Sequence, residues 1–139
     1  MWRGWADSFP EALTESADMG KMVLVVDDSP SMRQMLTDTL SGAGFEVVQA
    51  VNGEDALKRI VGRRVQLVIT DFNMPVLNGP ALITRLRATA EYKFTPILVL
   101  TTESSSERKG EGKAAGATGW MVKPFDPDRL IQVVNRLVP

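Results

Sequence analysis

The sequence predicts an α/β domain built on a doubly wound, five-stranded parallel sheet with five helices. From Met22 onward, short apolar runs alternate with helix-period segments through five cycles. Most of these runs are continuously apolar, as strands covered on both faces must be. The intervening segments open on cap residues and prolines and close near glycines.

The expected strands, in order, are Met22 to Val26, Phe45 to Gln49, Leu67 to Thr70, Ile97 to Leu100 and Thr118 to Val122. Ser29-Pro30 sets a cap residue before a first-turn proline, and Asp126-Pro127 repeats the arrangement before the last helix. Gly42, Gly62 and Gly116 stand where helices are expected to stop. Met32, Met35, Leu36, Thr39 and Leu40 share one face of the first helix, and Leu130, Val133, Val134 and Leu137 one face of the last. Both are read as packing helices. The fourth helix, near Ser104 to Ala115, is expected to be soft, because Gly110 and Gly112 each cost about 1 kcal/mol relative to alanine. Residues 1–20 stand apart, with Trp2, Trp5, Phe9 and Leu13 spaced near one helical face. They read as an extension to a domain spanning residues 21–139, either an amphipathic appendage that docks on this domain or a partner, or a flexible tail or upstream start.

A chain of 139 residues has the size of one domain. It contains no cysteine and no histidine, which excludes cysteine nucleophiles, Ser-His-Asp triads, phosphohistidine intermediates and the usual zinc sites. A phosphohistidine, if one takes part, must come from another chain. The net charge of −1 offers no broad attraction to nucleic acid. Of the 16 basic and 17 acidic residues, Arg3 and Asp7, Glu11, Glu15 and Asp18 fall in the extension, so the remainder is also near neutral. No apolar run approaches the roughly 20 residues of a membrane helix, so a cytoplasmic protein without nucleic-acid or membrane partners is expected.

Functional groups of open α/β sheets gather at the carboxyl ends of the strands. Asp27 and Asp28 follow the first run, Asp71 the third and Thr101 the fourth, and Lys123 ends the fifth. If the strands are ordered 2-1-3-4-5, all five residues line one crevice. Three converging carboxylates need a cation, and an all-oxygen ligand set points to a hard ion such as Mg²⁺. Because Mg²⁺ usually keeps positions for water and phosphate oxygens, the set suggests phosphoryl chemistry with one carboxylate as nucleophile. The Thr101 hydroxyl and Lys123 ammonium are the donors suited to the oxygens of an acyl phosphate. Each residue alone has a commoner role as turn former, cap or solvated lysine; the combination carries the inference.

Val25-Val26-Asp27-Asp28-Ser29, Thr70-Asp71-Phe72-Asn73-Met74-Pro75 with Gly79, Leu100-Thr101-Thr102, and Val122-Lys123-Pro124-Phe125 together resemble the response-regulator receiver family. The motifs stand in the family's order, and the resemblance runs from about Lys21 to Val138. It implies a flavodoxin-like fold with strand order 2-1-3-4-5 and Asp71 as phosphoacceptor. Mg²⁺ would be held by Asp28, Asp71 and the Asn73 carbonyl, with Asp27 acting through water. Thr101 and Lys123 would bind the phosphoryl oxygens, and Lys123-Pro124 would be a cis peptide. Thr101 and Trp120 fall at the switch positions, where many relatives carry the smaller Tyr or Phe in place of Trp120. Helix four, strand five and helix five would form the output face.

The chain ends at Pro139, so a stand-alone, monomeric regulator of the chemotaxis type is expected, with Asn73 and Glu103 at positions that influence loss of the phosphoryl group. The implied partners are a chemotaxis-type sensor histidine kinase and a flagellar motor switch protein or other protein target. The alternative is a phosphorelay shuttle that passes the group to a histidine phosphotransfer protein. Beyond Mg²⁺-dependent self-phosphorylation and autodephosphorylation, no enzyme activity is expected. A haloacid-dehalogenase-like phosphatase needs a second Asp two residues past the first, and Asn73 there cannot serve as general acid.

Overall fold

A computed structural model describes residues 20–139, and the reading of the N-terminal extension lies outside them but for Gly20. Apolar runs and capped helices alternate through Met22–Val26 (β1), Pro30–Gly42 (α1), Glu46–Ala50 (β2), Gly53–Arg59 (α2) and Leu67–Thr70 (β3). They continue through Gly79–Arg87 (α3), Ile97–Thr101 (β4), Ser106–Ala115 (α4), Gly119–Val122 (β5) and Pro127–Leu137 (α5). The strands form one sheet in the order β2-β1-β3-β4-β5, and every pairing is parallel.

Alternation along the strands sends successive side chains to opposite layers. Leu24, Val26, Val68 and Val99 meet Ala56 of α2 and Leu82, Ile83 and Leu86 of α3. Val23, Val25, Ile69 and Leu100 meet Leu36 and Leu40 of α1 and Leu130 and Val134 of α5. Two covered faces explain why β1, β3 and β4 needed apolar residues at nearly every position. The edge strands are less buried, β2 alternating and β5 half-covered.

Each helix start is held by a side-chain acceptor. Ser29 accepts from the Met32 N–H, Asn52 from Asp55, Asn78 from Ala81, Ser105 from Arg108 and Asp126 from Arg129. The expected helix stops fare unevenly. Gly116 caps α4 in the left-handed region at φ 115°. Gly42 is instead the last residue of α1, and Gly44, at φ 96°, takes the left-handed turn that frees Phe45 to enter the core. Gly62, at φ 76°, lies in the turn beyond the Ile60 cap.

Several sequence expectations shift by small amounts, and β2 and β4 each end one residue later, at Ala50 and Thr101. β2 begins at Glu46 rather than Phe45, and β5 at Gly119 rather than Thr118, whose hydroxyl accepts the Ile97 N–H at 3.0 Å. Met35 is 51% exposed, because the buried stripe of α1 runs through Leu36 and Leu40 with Met32 beside it.

The two glycines of α4 also part company. An added Cβ at Gly110 would meet nothing within 4 Å, whereas one at Gly112 would lie 2.7 Å from Cζ3 of Trp120. Gly110→Ala is therefore expected to stabilise the protein by about 0.5–1 kcal/mol through helix propensity and unfolded-state entropy. A thermal melt should show a midpoint raised by a few degrees. Among the described residues, no helix is long and apolar enough to cross a membrane.

Candidate functional site

The site lies where β1 and β3 diverge toward opposite layers, at the carboxyl edge of the sheet. Val26 pairs with Thr70, and the Asp71 N–H donates to the Val26 carbonyl at 3.0 Å, so Asp27 and Asp71 emerge side by side. Thr70 pairs with Val99, and Thr101 with Val122, which brings the ends of β4 and β5 alongside. Four strand ends thus deliver the sequence-expected residues to one crevice.

Carboxylate oxygens of Asp27, Asp28 and Asp71 lie within 4.8 Å of one another. Asp27 is buried, its Oδ1 accepting the Ser29 N–H at 2.9 Å and its Oδ2 the Lys123 Nζ at 2.7 Å. Lys123 Nζ also donates to Asp71 Oδ2 at 3.0 Å, while Asp71 Oδ1 accepts the Phe72 N–H at 2.6 Å. Asp28 is exposed at the mouth. The Arg33 guanidinium donates to the Asp27 carbonyl at 2.7 Å and ties α1 to the site.

Burial pulls the Lys123 ammonium toward a lower pKa, but its hydrogen bonds and charge interactions with Asp27 and Asp71 outweigh that and hold it above the ordinary lysine value. One ammonium against three carboxylates leaves an excess of negative charge. That excess, the all-oxygen donor set and the close grouping fit a hard divalent cation such as Mg²⁺. Asp27, Asp28 and Asp71 are the side chains that would hold it.

The loop after β3 folds back over Asp71. A Cβ at Gly79 would stand 2.5 Å from the Asp71 carbonyl oxygen, so only glycine permits this approach. The Gly79 N–H donates to the Phe72 carbonyl and closes the loop. Asn73 lies exposed on it, and Val76 holds φ 70°, a strained value for a β-branched residue.

Thr101 is buried, and its hydroxyl accepts the Glu103 N–H at 3.3 Å rather than contacting the carboxylates. Trp120 does not enter the crevice. Its ring packs on Phe72 at 5.4 Å between centroids, and its Nε1–H donates to the Glu103 carbonyl at 3.0 Å. The Lys123–Pro124 peptide is cis, as the resemblance implied. Sequence reasoning missed Arg33, whose partner is a backbone carbonyl, and the contact of Gly112 with a side chain on β5.

An acidic crevice countered by one lysine, set at the switch point of a 2-1-3-4-5 parallel sheet, defines a receiver-type domain. The response regulator receiver domain model matches residues 23–135, and the chain belongs to that family. It is 37% identical over 110 residues to the chemotaxis protein CheY1 of Helicobacter pylori, covering 78% of this chain and 89% of that one. The solved structure of the Vibrio cholerae chemotaxis protein CheY4 superposes with TM-score 0.82 at 50% identity, covering 86% and 99% of the two chains. The receiver domain of a Pseudomonas aeruginosa sensor histidine kinase, solved with a magnesium ion coordinated in its active-site cleft, shares the fold. Its TM-score is 0.79 at 24% identity, over 85% and 97% of the two chains. The chain is a CheY-like receiver.

Proposed function

We propose that this receiver is a phosphorylation-switched regulator whose Asp71 carboxylate takes a phosphoryl group from a histidine of a sensor kinase. The observation that carries the reading is the placement of Asp71 beside Asp27, Asp28 and Lys123. In the transfer, an Asp71 oxygen attacks phosphorus and the N–P bond of the donor histidine breaks, leaving an acyl phosphate. Hydrolysis by water later returns the carboxylate and inorganic phosphate. Bound Mg²⁺ supplies charge neutralisation for the phosphoryl oxygens. Lys123 and Thr101 donate to those oxygens once the group is in place. Catalysis is confined to this self-phosphorylation and autodephosphorylation.

Phosphorylation adds roughly −1.5 to −2 charge beside Lys123 and Thr101 and rearranges their contacts. Output is read from the face of α4, β5 and α5. A cavity of about 230 Å³ lies there between α4 and β5, with Lys109 and Lys113 on its rim and Trp120 in its wall. Its basic rim and apolar wall suit an acidic amphipathic segment of a protein target. The likeness to CheY1 and CheY4 supports a chemotaxis setting with a flagellar motor switch protein as that target.

The test is incubation with Mg²⁺ and acetyl phosphate, followed by intact mass. Wild type is expected to gain one phosphoryl group and Asp71→Asn none. Wild-type yield on the Asn variant would refute the assignment of Asp71.

A further inference from the structure

We infer that Trp120 is a fixed strut rather than a swinging switch: Gly112 and the Glu103 carbonyl hold its indole inward before any phosphorylation, and residues 102–105 carry the conformational change. The inference rests on the phosphorylation reading above.

Three contacts place the ring. Trp120 pairs with Val99 in the β4–β5 register, so its side chain faces the layer of α3 and α4. There it packs on Phe72. On the other side, Cζ3 and Cε3 stand 2.7 and 3.3 Å from where a Cβ at Gly112 would be, so the indole fills the space a side chain of α4 would take. The Nε1–H bond to Glu103 completes the set. Turning the ring outward would break that bond and uncover both Phe72 and the backbone at Gly112. A phenylalanine here has no donor to make the bond.

Glu103 is consequently held at both ends of its backbone, its N–H by Thr101 and its carbonyl by Trp120. When Thr101 turns toward a phosphoryl group, the first tie is released and the second stays. Movement then falls on the segment leading to Ser105, the N-cap of α4, and is passed to the start of that helix. Trp120 acts as a positioning residue for Glu103.

The experiment uses the full chain with Trp2→Phe and Trp5→Phe, which leaves Trp120 as the sole indole of the three. Acrylamide quenching is read with and without Mg²⁺ and acetyl phosphate, with phosphorylation checked by mass in the same sample. In mass-confirmed phosphoprotein, quenching is expected to stay within about 1.3-fold while amide exchange at 102–105 changes; a shift of about twofold or more would mean the ring swings. Absence of added mass would count against the phosphorylation reading instead.

The packing claim is tested independently in the unphosphorylated protein. Gly112→Ala is expected to raise quenching about twofold and lower the melting midpoint, and adding Trp120→Phe to recover part of that midpoint by relieving the clash, though not the bond to Glu103. A Gly112→Ala protein as stable as Gly110→Ala, with unchanged quenching, would overturn the strut.

Discussion

Arg87→Met is expected to lower the melting midpoint by roughly 10 °C, the equivalent of about 3 kcal/mol for a domain of this size. The guanidinium sits at the end of α3 and serves as a staple between three backbone segments. Its Nη1 donates to the carbonyls of Tyr92 and Thr95 at 2.9 and 2.7 Å and to that of Lys93 at 3.2 Å. Its Nε and Nη2 both donate to the Gly116 carbonyl, at 3.1 and 2.9 Å, where α4 turns into β5. Burial pushes its pKa below the ordinary arginine value, so the charge is held by carbonyl dipoles at some desolvation cost. Methionine keeps much of the stem packing against Gly116 but leaves several half-buried carbonyls without their donor. Arg87→Lys is expected to recover less than half the loss, because one ammonium cannot span both segments. Chemical denaturation that shows less than about 1 kcal/mol for Arg87→Met would mean that water replaces the guanidinium without penalty.

Arg87 also marks where the sequence stopped being legible. The strands could be read because burial on both faces demands continuous apolar runs, and Leu67–Thr70 has no other reading once cap signals bracket it. The carboxylates could be read because strand ends at a switch point converge whatever the loops do, so Asp27, Asp71 and Lys123 needed only correct strand order. Arg87 carries no such signature. Its partners are carbonyls five to 29 residues away, and backbone acceptors look the same in every sequence.

Gly112 is half legible for a related reason. In isolation a helical glycine signals weakness, and only the distance to Trp120 shows that the missing Cβ is also what lets a large ring pack. Met35 shares the helical spacing of the buried stripe of α1, but spacing alone does not say which edge of a stripe faces the core, and here Met35 is the exposed edge. Thr101 reached its expected place, but its hydrogen bond to Glu103 depends on a loop conformation that no periodicity encodes.

Lys123→Met should destabilise the metal-free protein by about 3 kcal/mol and make it more dependent on Mg²⁺ than wild type. In the wild-type protein, Nζ bridges Asp27 and Asp71 at 2.7 and 3.0 Å, with about a tenth of the lysine side chain exposed. Removing it leaves three carboxylates within 4.8 Å of one another and no ammonium among them. Because the folded-state pKa of the lysine is raised, its stabilising contribution is complete below its ordinary value of 10.5 and is lost only as pH climbs through the higher one. A comparison at neutral pH therefore measures the whole pair. Mg²⁺ at about 100 times its dissociation constant adds roughly 2.7 kcal/mol to the folded state by mass action. In the variant it no longer competes with an ammonium for Asp27 and Asp71, so the gain should be larger. The expected pattern is a large deficit in EDTA that narrows in Mg²⁺, read by thermal melts of both proteins side by side. Phosphorylation by acetyl phosphate should remain slow even in Mg²⁺, since the cation restores charge balance but not the donor that Lys123 offers to the phosphoryl oxygens. A Mg²⁺-induced rise no larger than that of wild type would show that Lys123 and the cation do not share the carboxylates.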